Sequence, residues 1–338
     1  MDEPKKITIA LDAHGTDHNT KTIVDGAILA VQKLNVNVVL VGDKNEIESN
    51  LENGWIDGLL HESASEIIEM HDEPASAVRN KVDSSIVVGA RIVKEGKADA
   101  LVGAGNTGAM MAAALLTLGR ISGVSRPGIA VELPAPASSH GAATRQILMD
   151  AGATVESEPK WLYQHALMAK AYVEHRIGLE NPTIGLLSNG EEASKGDDLR
   201  KKTFELMKDL PGFIGNCEGR DLTNGNPTIV ITDGFTGNVA LKTIEGVAKS
   251  ISQMVINVLS TDEFKEVAPT LIPSLLNAAQ EIHPDSYGGA VLLGVNNPVV
   301  IAHGSATSIA IYNAIRVATQ CVQTDVVGHI SKAIENAS

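Results

Sequence analysis

Short apolar runs rich in Val, Ile, Leu and Ala alternate with stretches in which apolar residues return every three to four positions, and the two patterns trade places along the whole chain. Compact runs bounded by turn residues predict buried strands, and the spaced pattern predicts amphipathic helices. In the first half this gives a strand at 7–12, a helix at about 22–34, a strand at 36–41, a short helix at about 45–53 and a short strand at Leu59 and Leu60. One long helix is predicted over 74–95, with Pro74 in its first turn and Gly96 as its stop. A strand at 98–103 and a helix of small apolar residues from Asn106 follow.

Proline cannot donate to a β-ladder, so the prolines of 126–139 predict an edge strand or an extended connection there. Beyond it come a strand at 146–152, a helix at 159–176 closed by Gly178, a strand run from Gly185, a helix at about 199–208 and a strand at 228–232. A single helix is predicted over 239–259, followed by an apolar segment, 264–282, that two prolines interrupt. That segment suits a lid, a dimer element or a membrane-touching surface. A helix from Ser305 to about Ala318 closes the fold. The βα rhythm predicts a layered α/β/α architecture with a mostly parallel sheet, forming one compact unit over 1–338 with a protruding element at about 240–290.

The strand ends carry the candidate chemistry. The segments 7–18, 99–109, 185–199, 228–238 and 299–308 each run from apolar residues into glycine mixed with Asn, Asp, His, Ser or Thr. In open α/β sheets ligands bind beyond the carboxyl ends of strands, and backbone N–H groups at such turns hold anions. With Lys195, Arg220, Lys242 and His18 interleaved, these loops point to an anionic substrate. They are not read as a nucleotide fingerprint: Gly103-Ala-Gly105-Asn-Thr-Gly108 has the G-x-G-x-x-G spacing, but a lone glycine loop is weak evidence, and no phosphate-binding lysine loop occurs.

Bulk properties narrow the class. Hydrophobic residues make up 43% of the chain but aromatics only 3%, so packing rests on aliphatic side chains, as in helices layered on a parallel sheet. A formal net charge of −14 and the lack of a Lys/Arg block exclude a nucleic-acid backbone as partner. Two distant cysteines, Cys217 and Cys321, give neither a disulfide framework nor a metal cluster and fit a reducing compartment. The scattered His, Asp and Glu residues show no metal-ligand spacing, so neither metal nor cofactor is expected. Without an apolar leader or a run of about 18 apolar residues, the expected location is the cytoplasm, at most peripheral to a membrane.

Longer motifs sharpen this picture: the stretches 11–18, 40–43, 73–85, 103–112, 118–127, 185–196, 213–221, 230–246, 287–295 and 301–315 together make the chain resemble the bacterial phosphate acyltransferases of glycerolipid synthesis, the PlsX family, over nearly its whole length. The resemblance implies attack of inorganic phosphate on the thioester of an acyl-[acyl carrier protein], giving acyl phosphate for a downstream glycerol-3-phosphate acyltransferase. It also implies an isocitrate/isopropylmalate dehydrogenase-like fold shared with phosphate acetyltransferases, a metal-independent homodimer and loose membrane association. The chain departs from the family pattern at His14 and Thr16, usually Met and Gly, at Thr154 and Glu156, usually Asn and Asp, and at 283–286.

Such a reaction needs phosphate held in line with a carbonyl and donors for the tetrahedral oxyanion, and needs no protein nucleophile. Lys195 and Asn238 are the first candidates for gripping phosphate or oxyanion, with Asn106 and its neighbours Gly105 and Thr107 next. Asp12, His18 and Asp233 are candidates for orienting donors or moving a proton. Arg79, Lys81, Arg220, Lys242, His303 and Gly304 are candidates for phosphate or carrier contact. Each has a bland alternative: a solvated loop lysine for Lys195, an N-cap for Asn238, a salt-bridged surface helix for Arg79 and Lys81, a structural turn for Arg220. The rival functions are a catalytically silent carrier-protein binder, a nicotinamide-dependent hydroxy-acid dehydrogenase of the same superfold, and a coenzyme A acyltransferase.

Overall fold

A computed structural model describes residues 6–16, 19–135, 145–264, 266–281 and 287–337. The candidate His18 and the variant stretch 283–286 lie outside the described residues. The first half contains β1 (Thr8–Asp12), α1 (Thr20–Leu34), β2 (Asn37–Gly42), α2 (Lys44–Ser49), β3 (Leu59–Ser63), α3 (Pro74–Asn80), α4 (Ser85–Lys94), β4 (Ala100–Gly103) and α5 (Thr107–Ala113). The middle contains β5 (Gly128–Pro134), β6 (Arg145–Met149), α6 (Pro159–Tyr172), β7 (Ile184–Leu187), α7 (Asp198–Met207), β8 (Phe213–Cys217) and β9 (Ile229–Ile231). The rest is α8 (Gly234–Leu259), α9 (Ala268–Glu281), β10 (Ala290–Leu293), β11 (Val299–Ile301), α10 (Ser308–Gln323) and α11 (Val326–Asn336).

All eleven strands share one sheet, in the order β3-β2-β1-β4-β11-β10-β5-β6-β9-β7-β8. Strands β3, β2, β1, β4 and β11 form one parallel block and β6, β9, β7 and β8 another. The antiparallel pairings of β10 with β11, β10 with β5 and β5 with β6 join the blocks, which therefore run in opposite senses. Register puts Ala290 opposite Ile301, and Ala130 opposite both Val291 and Met149. The end of β11 and the end of β6 thus sit at nearly the same height across the β10–β5 ribbon. Loops leaving both blocks can line a common site there. Two apolar clusters, one on each face, fill the space between the sheet and its helices.

Several sequence expectations change for physical reasons. The segment expected at an edge is β5, deep in the sheet. Its prolines stand outside the ladder interior, Pro127 before the strand and Pro134 at its end, so the intervening N–H groups remain available. The helix expected over 74–95 is two helices, broken where Asp83 docks on the preceding loop. There the Ser65 N–H and hydroxyl donate to the Asp83 carboxylate at 3.1 and 2.6 Å, and the Asp83 N–H donates to Glu66 at 3.0 Å. Helix α9 runs through Pro273; its lost backbone bond would go to Pro269 in the first turn, where helix disruption is least. Strands β8 and β10 and the final helix α11 were not expected, because Gly215 and the Gly288-Gly289 pair dilute the apolar runs and α11 follows only a two-residue gap. Helix α8 starts at Gly234 rather than 239, so Asn238 lies within the helix.

Candidate active site

The first group of candidates stands where β1 and β4 end. Asp12 is buried, its carboxylate accepting from the His14 N–H at 3.0 Å. Burial pushes its carboxyl up to about 6, against the opposing effects of the Ser85 hydroxyl and the His14 N–H. The two loops touch backbone to backbone: a Cβ on Gly15, which holds φ +96°, would stand 2.6 Å from the Gly105 Cα. Only glycine permits that approach. His14, the residue that departs from the family pattern, bridges to the next βα turn. Its Nε2 accepts from the Asp43 N–H at 3.4 Å and its Nδ1 faces Glu46 at 3.8 Å.

Asn106 caps α5, its side-chain oxygen accepting from the Ala109 N–H at 3.0 Å. Its amide nitrogen donates to the carbonyls of Glu69, Met70 and Asp72 at 3.2, 3.3 and 3.2 Å. The side chain is therefore committed within the protein, and tethers the 69–72 loop. Lys81 closes the same loop through Asp72 at 2.5 Å and the Ile67 carbonyl at 2.9 Å. Arg79 is exposed on α3. These two cations flank the loop rather than a cavity lining.

A second group surrounds an open cavity of about 430 Å³ beyond β7, lined by Ser188, Asn189, Gly196, Asp197, Arg200 and Thr236, with Leu187 at its base. The loop is braced from both sides. The Gly196 N–H donates to Asn189 at 2.9 Å, Asn216 donates to the Glu192 carbonyl at 2.9 Å, and Arg220 pairs with Glu191 and Glu218 at 2.8 and 2.6 Å. Arg220 is thus an exposed brace. Lys195 sits on the same loop, exposed, and among the described residues it makes no ion pair. The Ser188 hydroxyl is buried without a hydrogen-bond partner among the described residues.

Arg200, which stands outside the candidates named from the sequence, is the organising cation of this cavity. It pairs with Asp197 at 2.8 Å, with Asp233, and reaches the Thr236 hydroxyl at 3.1 Å. Burial pushes the Asp233 carboxyl up, but the Thr236 N–H and hydroxyl together with the Arg200 guanidinium outweigh it and hold the group below its ordinary range. A signal was available: Arg200 lies in the first turn of α7, where the helix dipole disfavours a cation, so its placement calls for an acidic partner outside the helix.

The third group forms where α8 begins. Asp233, not Asn238, caps this helix by accepting from the Thr236 N–H at 2.9 Å. The helix start is pressed on the loop after β6: a Cβ on Gly237 would meet the Asp150 carbonyl oxygen at 1.8 Å, and one on Gly234 the Thr154 carbonyl oxygen at 2.3 Å. Asp150 organises that loop from inside. Its buried carboxylate accepts from Ile129, Gly152, Ala153 and Thr154 N–H groups at 3.1, 3.0, 2.8 and 2.9 Å, and from the Thr154 hydroxyl at 2.9 Å. Thr154, where the family usually has Asn, supplies two of those donors, its N–H and its hydroxyl.

This packing leaves Asn238 exposed beside a cavity of about 160 Å³ on the β10–β5 ribbon. Its lining combines apolar Ile129, Val131, Leu241 and Ile301 with polar Thr107, Asn238, Lys242 and His303 and the carboxylates Glu132 and Glu245. Four candidates from distant parts of the sequence therefore meet here. His303 contacts the Ser305 hydroxyl at 2.8 Å and the Lys242 ammonium at 3.3 Å, and Lys242 pairs with Glu245 at 2.8 Å. Ser305 and Glu245 had no sequence signal separating them from ordinary loop and helix-surface residues. Gly304, buried, lies between His303 and Ser305.

Comparison with known proteins bears on the family and the fold. Residues 7–329 match the family described as fatty acid synthesis protein. The chain is 44% identical over 330 residues to the phosphate acyltransferase of Geobacillus sp. (strain WCH70), covering 97% of this chain and 98% of that one. It is 43% identical over 331 residues to the phosphate acyltransferase of Bacillus subtilis (strain 168), with 97% and 98% covered. Among solved structures, the fold is similar to a phosphotransacetylase from Streptococcus pyogenes, with a TM-score of 0.61 at 16% identity and 94% of each chain covered. It is similar also to the EutD phosphotransacetylase from Staphylococcus aureus, with a TM-score of 0.60 at 16% identity and 94% of each chain covered. The fold is thus that of the phosphotransacetylases, and at 42–44% identity over almost its full length this chain belongs to the phosphate acyltransferase family.

Proposed function

We propose that the protein is an enzyme that transfers a fatty acyl group from a thioester to inorganic phosphate, giving an acyl phosphate for phospholipid synthesis. The observation that carries this reading is the ribbon cavity, whose lining joins apolar side chains to Thr107, Asn238, Lys242 and His303. An acyl chain suits the apolar lining, and phosphate and a developing oxyanion suit the Thr107, Asn238, Lys242 and His303 donors. The neighbouring loop adds Lys195, whose charge is not spent on a carboxylate among the described residues. The first two turns of α8 serve both cavities, since Thr236 lines one and Asn238 the other.

In this reading Lys195 and Asn238 meet the phosphate and the tetrahedral oxygen, with Thr107 assisting. Asp12, Gly105 and Asn106 keep the first loops in place, and Asp233 with Arg200 fixes the start of α8. Because positioning and charge do the chemistry, no covalent intermediate with the protein is required. The test is phosphate-dependent release of free thiol from a long-chain acyl-[acyl carrier protein], with the acyl phosphate trapped as hydroxamate. Release without phosphate, or carrier binding with no release, would sink the reading; the latter would favour the silent binder.

The carrier protein as acyl donor, a glycerol-3-phosphate acyltransferase as consumer and a homodimer as the working form are finer parts of the same proposal. The dimer draws support from α8, whose buried residues are confined to its two ends while Val247, Ile251, Met254 and Val258 expose one apolar stripe. Spacings of four, three and four residues along a helix are those of a seam between helices. No described helix is long and apolar enough to cross a membrane, so any lipid contact through α8 and α9 would be peripheral.

A further inference from the structure

The proposed reaction moves one proton. Hydrogen phosphate attacks the carbonyl carbon, a C–O bond forms, the C–S bond breaks, and the products are an acyl phosphate dianion and a thiol. The hydroxyl proton of the phosphate must therefore reach the departing sulfur, because a thiolate with an ordinary pKa of about 8.5 takes up a proton at neutral pH. Nothing else enters or leaves.

Resting on the phosphate acyltransferase reading, we propose that His303 carries this proton, accepting it from hydrogen phosphate and delivering it to the leaving thiolate. Among the described residues it is the histidine that lines the ribbon cavity. Its two ring nitrogens have different neighbours, Lys242 at Nε2 and Ser305 at Nδ1. The Lys242 ammonium can only donate, so at 3.3 Å it points a hydrogen at Nε2, which must then carry a lone pair. Nδ1 is anchored by Ser305, contacting its hydroxyl at 2.8 Å and accepting from its backbone N–H at 3.3 Å, and the tautomer that answers the Lys242 ammonium keeps its hydrogen on this anchored side. A basic nitrogen thus faces the cavity beside a cation, with the far side of the ring anchored.

Lys242 is the group phosphate would engage, and Glu245 steadies it from the next turn of α8 at 2.8 Å. A phosphate drawing on the Lys242 ammonium brings its own hydroxyl to Nε2. The imidazolium formed there stands beside the scissile thioester and returns the proton to sulfur. Ser305 and Glu245 are positioning residues in this scheme. The other described histidines near the β1 and β6 ends are occupied elsewhere, His14 by Asp43 and Glu46, and His165 by the Arg126 carbonyl.

The test varies the leaving group. His303→Gln, His303→Ala and Ser305→Ala would be assayed with acyl-[acyl carrier protein] and with the thioester of an acidic aryl thiol, whose thiolate leaves without a proton. The proposal expects a loss of about 10²-fold or more for both His303 variants on the carrier thioester, the usual scale of general acid–base catalysis, and less than about tenfold on the aryl thioester. Ser305→Ala should lose about tenfold on the carrier thioester and little on the aryl one. Lys195→Ala serves as the contrast, since an oxyanion or phosphate grip is needed by both substrates. Equal losses for His303 variants on the two substrates would make it a binding or structural residue, and no loss would exclude it; either overturns the proposal. If the wild-type protein gives phosphate-dependent release from neither thioester, the acyltransferase reading itself fails and this inference with it. His303 is exposed, so unchanged melting temperatures should accompany all outcomes.

Discussion

At the scale of single residues, the site separates charges that are spent from charges that are available. Lys81, Arg200 and Arg220 hold carboxylates, Lys242 pairs with Glu245 while lining the ribbon cavity, and among the described residues Lys195 holds none. Lys195→Ala should therefore lower kcat by about 10²- to 10³-fold with an unchanged melt, as removal of a well-placed oxyanion donor does. A near-normal rate would remove it from the mechanism. Asp12 makes a separate prediction about stability. Its folded carboxyl, raised to about 6 against an ordinary 3.8, binds its proton more tightly than the unfolded chain does. Its contribution to stability is therefore full below pH 4 and is lost as pH rises through about 6, with a total on the order of 3 kcal/mol. Asp12→Asn should raise Tm at pH 7.5 and flatten the decline between pH 4 and 6 in melts followed by circular dichroism. A variant whose profile parallels the wild type would assign the decline to another group.

At the scale of elements, a side chain named as a catalytic candidate also fastens neighbouring segments. Asn106 joins the α5 cap to the 69–72 loop through four hydrogen bonds, so Asn106→Ala should destabilise by more than the ~1 kcal/mol typical of a lost cap. Asn106→Asp should be worse, because it keeps the cap but turns a carboxylate toward three carbonyls; denaturant midpoints would rank the two. Helix α8 offers a paired test. Gly237→Ala drives a methyl into the Asp150 carbonyl at 1.8 Å and should cost about 1–3 kcal/mol or displace the helix start. Gly246→Ala meets nothing within 4 Å and should stabilise by about 0.5–1 kcal/mol, the penalty glycine carries in a helix. Equal effects at the two positions would mean that α8 does not seat on the Asp150 loop as described.

At the scale of the whole molecule, two opposed parallel blocks give the site its place. The ends of β4 and β11 approach that of β6 only because the β10–β5 ribbon reverses direction between them. The exposed stripe of α8 belongs to this scale as well, with Ile251 55% and Met254 64% accessible. Ile251→Glu combined with Met254→Glu should convert a sedimenting dimer to monomer without lowering Tm. A wild-type monomer, or a dimer indifferent to the double change, would move the stripe's role to lipid, which flotation with anionic vesicles would then detect.

Much of this was determined by the sequence alone. Local periodicity and turn chemistry are properties of neighbouring residues, so most strands and helices, the loops at strand ends and the acyl-transfer motifs were legible in order. Lys195, Asn238, Lys242 and His303 could be named as candidates because residue type and position at a strand end are local facts too. What the tertiary structure alone decided is which of them meet. Strand order and direction placed β5 inside the sheet, brought His303 to Lys242 across 61 positions, and paired Arg200 with Asp233. Docking of Asp83 divided a helix that periodicity made continuous. Those outcomes depend on contacts between residues far apart in the chain, whose free energies no window of neighbouring residues contains.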